Sequence, residues 1–303
     1  MSDEKIVWLN GEFVNESATK VPILTHSLQY GSGIFEGIRA YETSEGPAIF
    51  RLKEHVERFL NTAKIYRMNL GYSAEEISKA IVELIRKNGF KSCYIRPFAF
   101  YDDARVGVGT TGKKISTFIA AVPFGKYFKD SDQGLKCKVA SWRRINSNIL
   151  PVQAKASGNY LNSVIAMLEA HDAGYDEAIL LTGDGFVAEG PGENIFLVKN
   201  GEIITPGKDS SILLGITRES IIELASQLGY TVRERFVHRE ELYTADELFF
   251  VGTAAEVTPI VNVDGITIGD GKTGKETDKI RKKFFSIVSG SENSHKNWLT
   301  LVK

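Results

Sequence analysis

The chain has 303 residues, of which 43% are hydrophobic, 10% aromatic and 25% charged, with a formal net charge of −1. That length provides an ample core for two domains or one large one, and the composition is that of an ordinary soluble globular protein. A charge this close to neutral, with no basic block in either half, argues against nucleic acid and anionic membrane as partners. The two cysteines, Cys93 and Cys137, lie in separate strand-like runs. They are expected as buried small hydrophobes, with no disulfide and no metal site, and the five histidines show no ligand spacing. Met1-Ser2-Asp3-Glu4-Lys5 carries no apolar signal region, and no apolar run has the length of a bilayer span. The expected location is the cytoplasm.

In chain order, Asn10-Gly11 between Ile6-Val7-Trp8-Leu9 and Phe13-Val14 predicts a two-residue hairpin with positive φ. Residues 27–41 then form a strand-like run holding Gly31, Gly33 and Gly37. Glycines there mark either a bulged strand against a helix or a place where another group approaches the backbone. Leu52, Val56, Phe59, Ala63 and Tyr66 recur at helical spacing and predict a helix over 51–70. Arg58 sits on neither extreme of that stripe and by itself reads as a solvated arginine. Ser73 and Glu76 form a capping-box pattern before a second helix with core stripe Ile77, Ile81, Leu84 and Ile85, closed at Gly89.

Residues 93–101 alternate as a strand, with Pro97 placing it at an edge or a bend, and with Tyr94 and Arg96 on one face. A glycine-rich loop over 102–112 and a strand over 116–124 complete an α+β first half. Residues 126–134 have the composition of a linker. The second half opens with a strand over 135–142. Tyr160, Leu161, Val164, Ile165 and Leu168 then mark an apolar helix that stops at Gly174. Strands are expected at 178–181, 231–237 and 247–251, with hairpins over Asn200-Gly201 and Asp264-Gly265. A helix follows Gly215-Ile216-Thr217, and another covers 275–288. Many antiparallel strands with interspersed helices suggest a barrel-like α+β second domain. The expected division is 1–125, a linker over 126–134, and 135–303.

The segment Pro151-Val152-Gln153-Ala154-Lys155-Ala156-Ser157-Gly158-Asn159-Tyr160 holds the only Lys or Arg between Arg144 and Lys199. An ammonium among small, partly apolar residues is costly to keep charged, which favours the nucleophilic free amine of a Schiff-base lysine. An ordinary loop lysine is the alternative on this segment alone. Three features of the second half suit a phosphorylated aromatic aldehyde. Gly215-Ile216-Thr217 opens a helix whose free amides and hydroxyl suit a phosphate. Gly252-Thr253 offers further amides and a hydroxyl. Glu189, beside a glycine-rich turn, could face a protonated ring nitrogen or be a turn residue.

Together, Tyr30-Gly31-x-Gly33-x-Phe35-Glu36-Gly37-Ile38-Arg39, Arg51-x-x-x-His55-x-x-Arg58, Tyr94-x-Arg96-Pro97, Lys155-x-x-Gly158-Asn159-Tyr160, Glu189-Gly190-x-Gly192-Glu193-Asn194, Gly215-Ile216-Thr217-Arg218 and Gly252-Thr253-Ala254-Ala255-Glu256 resemble, in order, the motifs of branched-chain amino acid aminotransferases. These are fold-type IV pyridoxal-phosphate enzymes, and the match runs from about Trp8 to Phe285. The resemblance implies a small N-terminal α/β sandwich-like domain and a larger C-terminal pseudo-barrel domain, as in D-amino acid aminotransferase. It implies pyridoxal 5'-phosphate as cofactor, no metal, and a Schiff base on Lys155, which would also serve as base and acid. Glu189 would pair with the pyridinium nitrogen, and Tyr160 would bond the phenolic oxygen. Arg58, Ile216, Thr217 and Thr253 would hold the phosphate, and Leu213 would pack on the ring.

By the same resemblance, Tyr30, Phe35, Gly37 and Tyr127 form the apolar side-chain pocket, while Tyr94, Thr253 and Ala254 receive the α-carboxylate. Arg96 would take the distal carboxylate of glutamate, with support from Arg39. Val108, in the loop Val106-Gly107-Val108, would reach a neighbouring subunit's site, making a homodimer the minimum unit and leaving a hexamer open. Two positions depart from some relatives: Phe124 stands in place of a tryptophan and Leu214 in place of a proline. The implied reaction is ping-pong transamination between leucine, isoleucine or valine and 2-oxoglutarate, in branched-chain amino acid biosynthesis. The alternatives are another fold-type IV activity (D-amino acid or (R)-amine transaminase, aminodeoxychorismate lyase) and a non-catalytic binding protein on the same fold.

Overall fold

Asn10 and Gly11 take φ of 48° and 98° and join strands Ile6–Leu9 and Glu12–Asn15, the geometry the Asn-Gly pair predicts. The structure, a computed structural model, describes residues 4–125, 127–128 and 133–303. Residues 126 and 129–132 of the expected linker, and 1–3 of the amino-terminal stretch, lie outside the described residues. The chain divides into two units. One comprises Met1–Gly125, Ala154–Gly158 and Ile287–Lys303, and the other Lys126–Gln153 and Asn159–Ser286. Residues 154–158 and 287–303, expected in the second domain, therefore group with the first unit.

The first unit carries an antiparallel sheet ordered Leu299–Leu301, Gly46–Phe50, Ile38–Thr43, Cys93–Tyr101, Ile115–Pro123, Ile6–Leu9 and Glu12–Asn15. Gly33–Phe35 also pairs with Cys93–Tyr101. Helices Leu52–Ile65 and Ala74–Asn88 contribute Val56, Phe59, Ile81, Leu84 and Ile85 to a core shared with Ile38, Ile95 and Ile119 of the sheet. Each large side chain of this kind contributes about 1.5–3 kcal/mol on burial. The second helix begins with the expected capping box: Ser73 Oγ accepts from the Glu76 amide while Glu76 accepts from the Ser73 amide.

Of the edge and the bend that Pro97 suggests, the edge is not realised. Cys93–Tyr101 is central, and its partner on one side changes midway: residues 93–95 pair with 38–40, and 98–100 with 33–35. Proline cannot donate to a ladder, and the partner chain breaks opposite it, at Glu36 and Gly37. The stretch 27–41 is accordingly not one strand. It starts with the short helix His26–Tyr30, turns at Gly31 (φ 64°), and continues as the two strands flanking that break.

The second unit holds a mixed sheet ordered Val232–Arg235, Glu202–Pro206, Asn194–Lys199, Glu247–Gly252, Glu256–Val263, Leu135–Arg143 and Glu177–Leu181, with Ile266–Thr267 beside Glu256–Val263. Residues 186–189 bond to Leu180 and Leu181 on one side and to Val237 and His238 on the other, bridging the sheet's two edges into a pseudo-barrel. Helix Tyr160–Asp172 lies on this sheet through Ala166 and Ala170, packed with Ala140, Ala178 and Leu180. The larger apolar residues that mark this helix in the sequence, Leu161, Val164 and Leu168, are exposed. Small side chains let the helix approach the strands closely, so the bulky ones point outward. Both thiols are free and buried, and burial pushes Cys93 up to about 12 and Cys137 well up.

Candidate active site

Each unit carries its own set of candidate residues. In the first, Lys155 is held through its backbone: its carbonyl accepts from the Phe35 amide at 3.0 Å, and its amide donates to Thr62 Oγ1 at 3.3 Å. An isolated bridge between Ile34 and Ala156 continues this docking. Lys155 Nζ thereby lies 5.1 Å from the centre of the Phe35 ring. The guanidinium of Arg96 lies 4.5 Å from the centre of the same ring, and its Nη2 donates to Tyr94 Oη at 3.0 Å. Phe35, Tyr94, Arg96 and Lys155 are thus brought together, and Tyr94 and Arg96 share one strand face as their spacing predicts.

Gly37 completes this group. A Cβ on it would stand 2.0 Å from Tyr94 Oη, and one on Gly33 would stand 2.6 Å from the Phe98 ring. Of the two readings of this glycine-rich run, close approach of another group to the backbone is the one realised. Arg39 is buried with its guanidinium 5.1 Å from both the Tyr41 and Phe124 rings, and it donates to the Gly125 carbonyl at 3.0 Å. Phe124 in turn packs on Tyr94, so Arg39 braces Tyr94 through that ring. Tyr30 stacks on the buried His26, and its hydroxyl accepts from the Gly107 amide at 3.0 Å, which ties it to the loop carrying the exposed Val106 and Val108.

Arg58 is not a solvated arginine. Its Nε donates to Glu36 Oε1 at 2.6 Å and its Nη2 to Glu36 Oε2 at 2.9 Å. His55 Nδ1, one helical turn away, lies 2.8 Å from Glu36 Oε2. Burial alone would push the Glu36 carboxyl up. The Arg58 charge and the hydrogen bonds from His55 and Arg58 outweigh it and hold the carboxyl far below the ordinary carboxylate range. His55 is pushed down by its burial, a shift that its bond to Glu36 only partly offsets. An ionised carboxylate can only accept, so His55 Nδ1 is the donor in this bond.

In the second unit, Glu189 is a buried and fully engaged carboxylate. Oε1 accepts from Arg144 Nε at 2.8 Å, and Oε2 accepts from Asn194 Nδ2 at 3.0 Å and the Leu213 amide at 3.1 Å. Arg144, itself buried, also reaches Asn162 Oδ1 at 3.3 Å. Such an anion suits a cationic ring nitrogen. Helix Ile216–Gln227 begins at Gly215, which has no side chain to cap the first amides, and Thr217 is buried in its first turn. A Cβ on Gly215 would stand 2.2 Å from Asn194 Oδ1, so no capping residue fits there. An open helix N-terminus with a hydroxyl suits a phosphate. Thr253 and Ala254 lie in the turn after strand Glu247–Gly252, and Tyr160 opens helix Tyr160–Asp172, half-buried. Tyr127 is half-exposed, with its ring against Phe128.

The sequence assigns no role to Glu36, His55 or Arg144, although the first two stand in its motifs. Glu36 had a signal: a lone acid between the apolar Phe35 and Ile38, with His55 and Arg58 three apart in a helical pattern. Arg144 had none, as an arginine just past a strand is ordinarily solvated.

Residues 33–263 match the family Amino-transferase class IV. The chain is 45% identical over 300 residues to a branched-chain-amino-acid aminotransferase of Pseudomonas aeruginosa, covering 98% of this chain and 97% of that one. Among solved structures it is similar to a branched-chain aminotransferase of Thermoproteus uzoniensis described with norvaline (TM-score 0.95, 48% identity, covering 99% of this chain and all of that one). It is also similar to the T.th. branched-chain amino acid aminotransferase complexed with N-(5'-phosphopyridoxyl)-L-glutamate (TM-score 0.95, 44% identity, covering 99% of each chain). With a family match across most of its length and relatives aligned nearly end to end, this chain belongs to the class IV aminotransferases.

Proposed function

We propose that the protein is a pyridoxal-phosphate-dependent branched-chain amino acid aminotransferase, exchanging an amino group between leucine, isoleucine or valine and 2-oxoglutarate. The observation that carries this reading is the shared Phe35 ring. An amine nucleophile, Lys155 Nζ, and a cation, Arg96, lie within 5.1 and 4.5 Å of the centre of one aromatic ring. Such a site accepts an aliphatic side chain against the ring and the distal carboxylate of glutamate against the guanidinium. The similar proteins support the same choice over a D-amino acid, (R)-amine or lyase activity, since all three are described as branched-chain aminotransferases and one holds a phosphopyridoxyl-glutamate adduct.

When bound, pyridoxal phosphate supplies an electron sink for the carbanion formed at the substrate's α-carbon. Lys155 would hold the cofactor covalently and, once freed by substrate, take and return the α-proton at Nζ. Glu189, held by Arg144 and Asn194, would hold the proton of the ring nitrogen, and Tyr160 the phenolic oxygen. Arg58, the Ile216 and Thr217 amides and Thr253 would bind the phosphate, with Leu213 against the ring. Tyr94, Thr253 and Ala254 would orient the α-carboxylate, and Tyr30, Phe35, Gly37 and Tyr127 would exclude water around the side chain.

A homodimer is the smallest assembly this reading requires. The exposed Val106 and Val108, and the outward face of Leu161, Val164 and Leu168, are apolar surface of the kind that association covers. No helix among the described residues is long and apolar enough to cross a membrane. With a near-neutral charge and reduced, buried thiols, this supports a cytoplasmic location. The test is borohydride trapping of the cofactor on the protein, followed by peptide sequencing, together with amino-donor turnover on 2-oxoglutarate. The reading expects the label on Lys155 and turnover of L-leucine ahead of D-alanine. A label elsewhere, or faster D-alanine turnover, overturns it.

A further inference from the structure

Glu36 occupies the break opposite Pro97, where its amide donates to the Pro97 carbonyl at 2.9 Å and its side chain is fully buried. Its two oxygens gather the Arg58 fork, His55 Nδ1 and the Gly37 amide at 3.2 Å. A two-point pairing through Nε and Nη2 fixes the guanidinium plane, which a single hydrogen bond leaves free to rotate. His55 fixes the carboxylate in its turn.

A buried anion is a paradoxical neighbour for an arginine that grips a phosphate. By charge alone it weakens the grip, because it offsets the arginine's attraction and repels the phosphate in a medium of low dielectric. What it can add is geometry. We infer that Glu36 is a positioning residue: by locking the Arg58 fork, with His55 behind it, it aims the guanidinium at the cofactor's phosphate. This rests on the reading that Arg58 binds that phosphate.

The two possible effects of Glu36 have opposite signs, which makes the inference testable. The apoprotein is titrated with pyridoxal phosphate and, separately, with pyridoxal, and binding is followed by tryptophan fluorescence. In Glu36→Gln the side-chain amide turns a donor toward the donors of Arg58 and His55, so the two-point pairing is lost. Pyridoxal phosphate affinity is expected to fall by about tenfold or more, the loss typical of a misplaced charge-assisted hydrogen bond, while pyridoxal affinity changes little. Unchanged or tighter pyridoxal phosphate binding overturns the inference, since removal of an anion alone would tighten it. Glu36→Asp keeps the charge but withdraws the carboxylate by one methylene, so the same phosphate-specific loss is expected and the test survives if the glutamine variant does not fold. Arg58→Met separates the two levels. If it spares the preference for pyridoxal phosphate over pyridoxal, the phosphate role of Arg58 fails. If it abolishes that preference and the Glu36 variants do not reduce it, only the positioning role fails. The double variant Glu36→Gln/Arg58→Met is expected to bind as Arg58→Met does, because Glu36 acts through Arg58.

Discussion

Arg144 donates its Nε to Glu189 Oε1 at 2.8 Å, and both side chains are buried within the second unit. Arg144→Met leaves that carboxylate without its counter-ion, a change that typically costs about 3–5 kcal/mol. Arg144→Lys keeps the charge but not the planar fork, and is expected to cost less. Urea denaturation at neutral pH ranks the three proteins; a methionine variant as stable as its parent removes Arg144 from this role.

Gly37 has no room for a methyl group, since Tyr94 Oη already occupies the place of a Cβ. Gly37→Ala is expected to push the Tyr94 hydroxyl aside and lower kcat/KM by about 10- to 100-fold, the effect of a misplaced substrate-binding group. Adding Tyr94→Phe removes the clashing oxygen. Methyl insertion should then cost less on that background than alone, and equal costs on both would locate the damage elsewhere.

The guanidinium of Arg96 sits over Phe35 and bonds Tyr94 Oη. Truncating it to alanine removes a charged partner worth about 1.5–3 kcal/mol to a carboxylate. Stopped-flow measurement of the separate half reactions is expected to show the glutamate half slowed tenfold or more and the leucine half much less. If both halves slow equally, Arg96 serves the fold rather than the substrate.

Glu177, the first residue of strand Glu177–Leu181, is fully buried; Oε1 accepts from the Ala178 amide, and Oε2 has no hydrogen-bond partner among the described residues. Burial, reinforced by the negative charge of Glu193, pushes its carboxyl up to about 9. The folded protein therefore keeps a proton that the unfolded chain gives up near pH 4.3 or so. The stability tied to that proton is fully present at low pH and declines as pH rises from that value toward 9. Glu177→Gln mimics the neutral acid. It is expected to match the parent at pH 4.5 and to exceed it by about 1–3 kcal/mol at pH 8. Thermal unfolding at both values decides this, and parallel pH profiles would rule it out.

One helix ending was legible in the sequence and a closely similar one was not. At the end of Ala74–Asn88 the chain turns left-handed at Gly89, and the Phe90 amide returns to the Ile85 carbonyl. At the end of Leu52–Ile65 the same closure runs through Arg67 (φ 54°), with the Met68 amide on the Ala63 carbonyl and the Arg67 amide on Lys64. Glycine announces the first, while arginine hides the second, so the helix stops short of the predicted residue 70. The site divides the same way. The shared face of Tyr94 and Arg96 could be read because their i, i+2 spacing carries meaning. The Glu36 and Arg144 partnerships could not, because they join residues 22 and 45 apart, through a strand break and a turn whose course no local pattern encodes.

The first unit is not finished when its own first 125 residues have been made. Strand Leu299–Leu301 covers the outer edge of Gly46–Phe50, and the Arg51 amide is bonded to the Trp298 carbonyl. Until that strand leaves the ribosome, a row of unpaired peptide groups lies open along that edge, available to another nascent chain. Strand Leu299–Leu301 thus works as a latch, closing an edge laid down long before it.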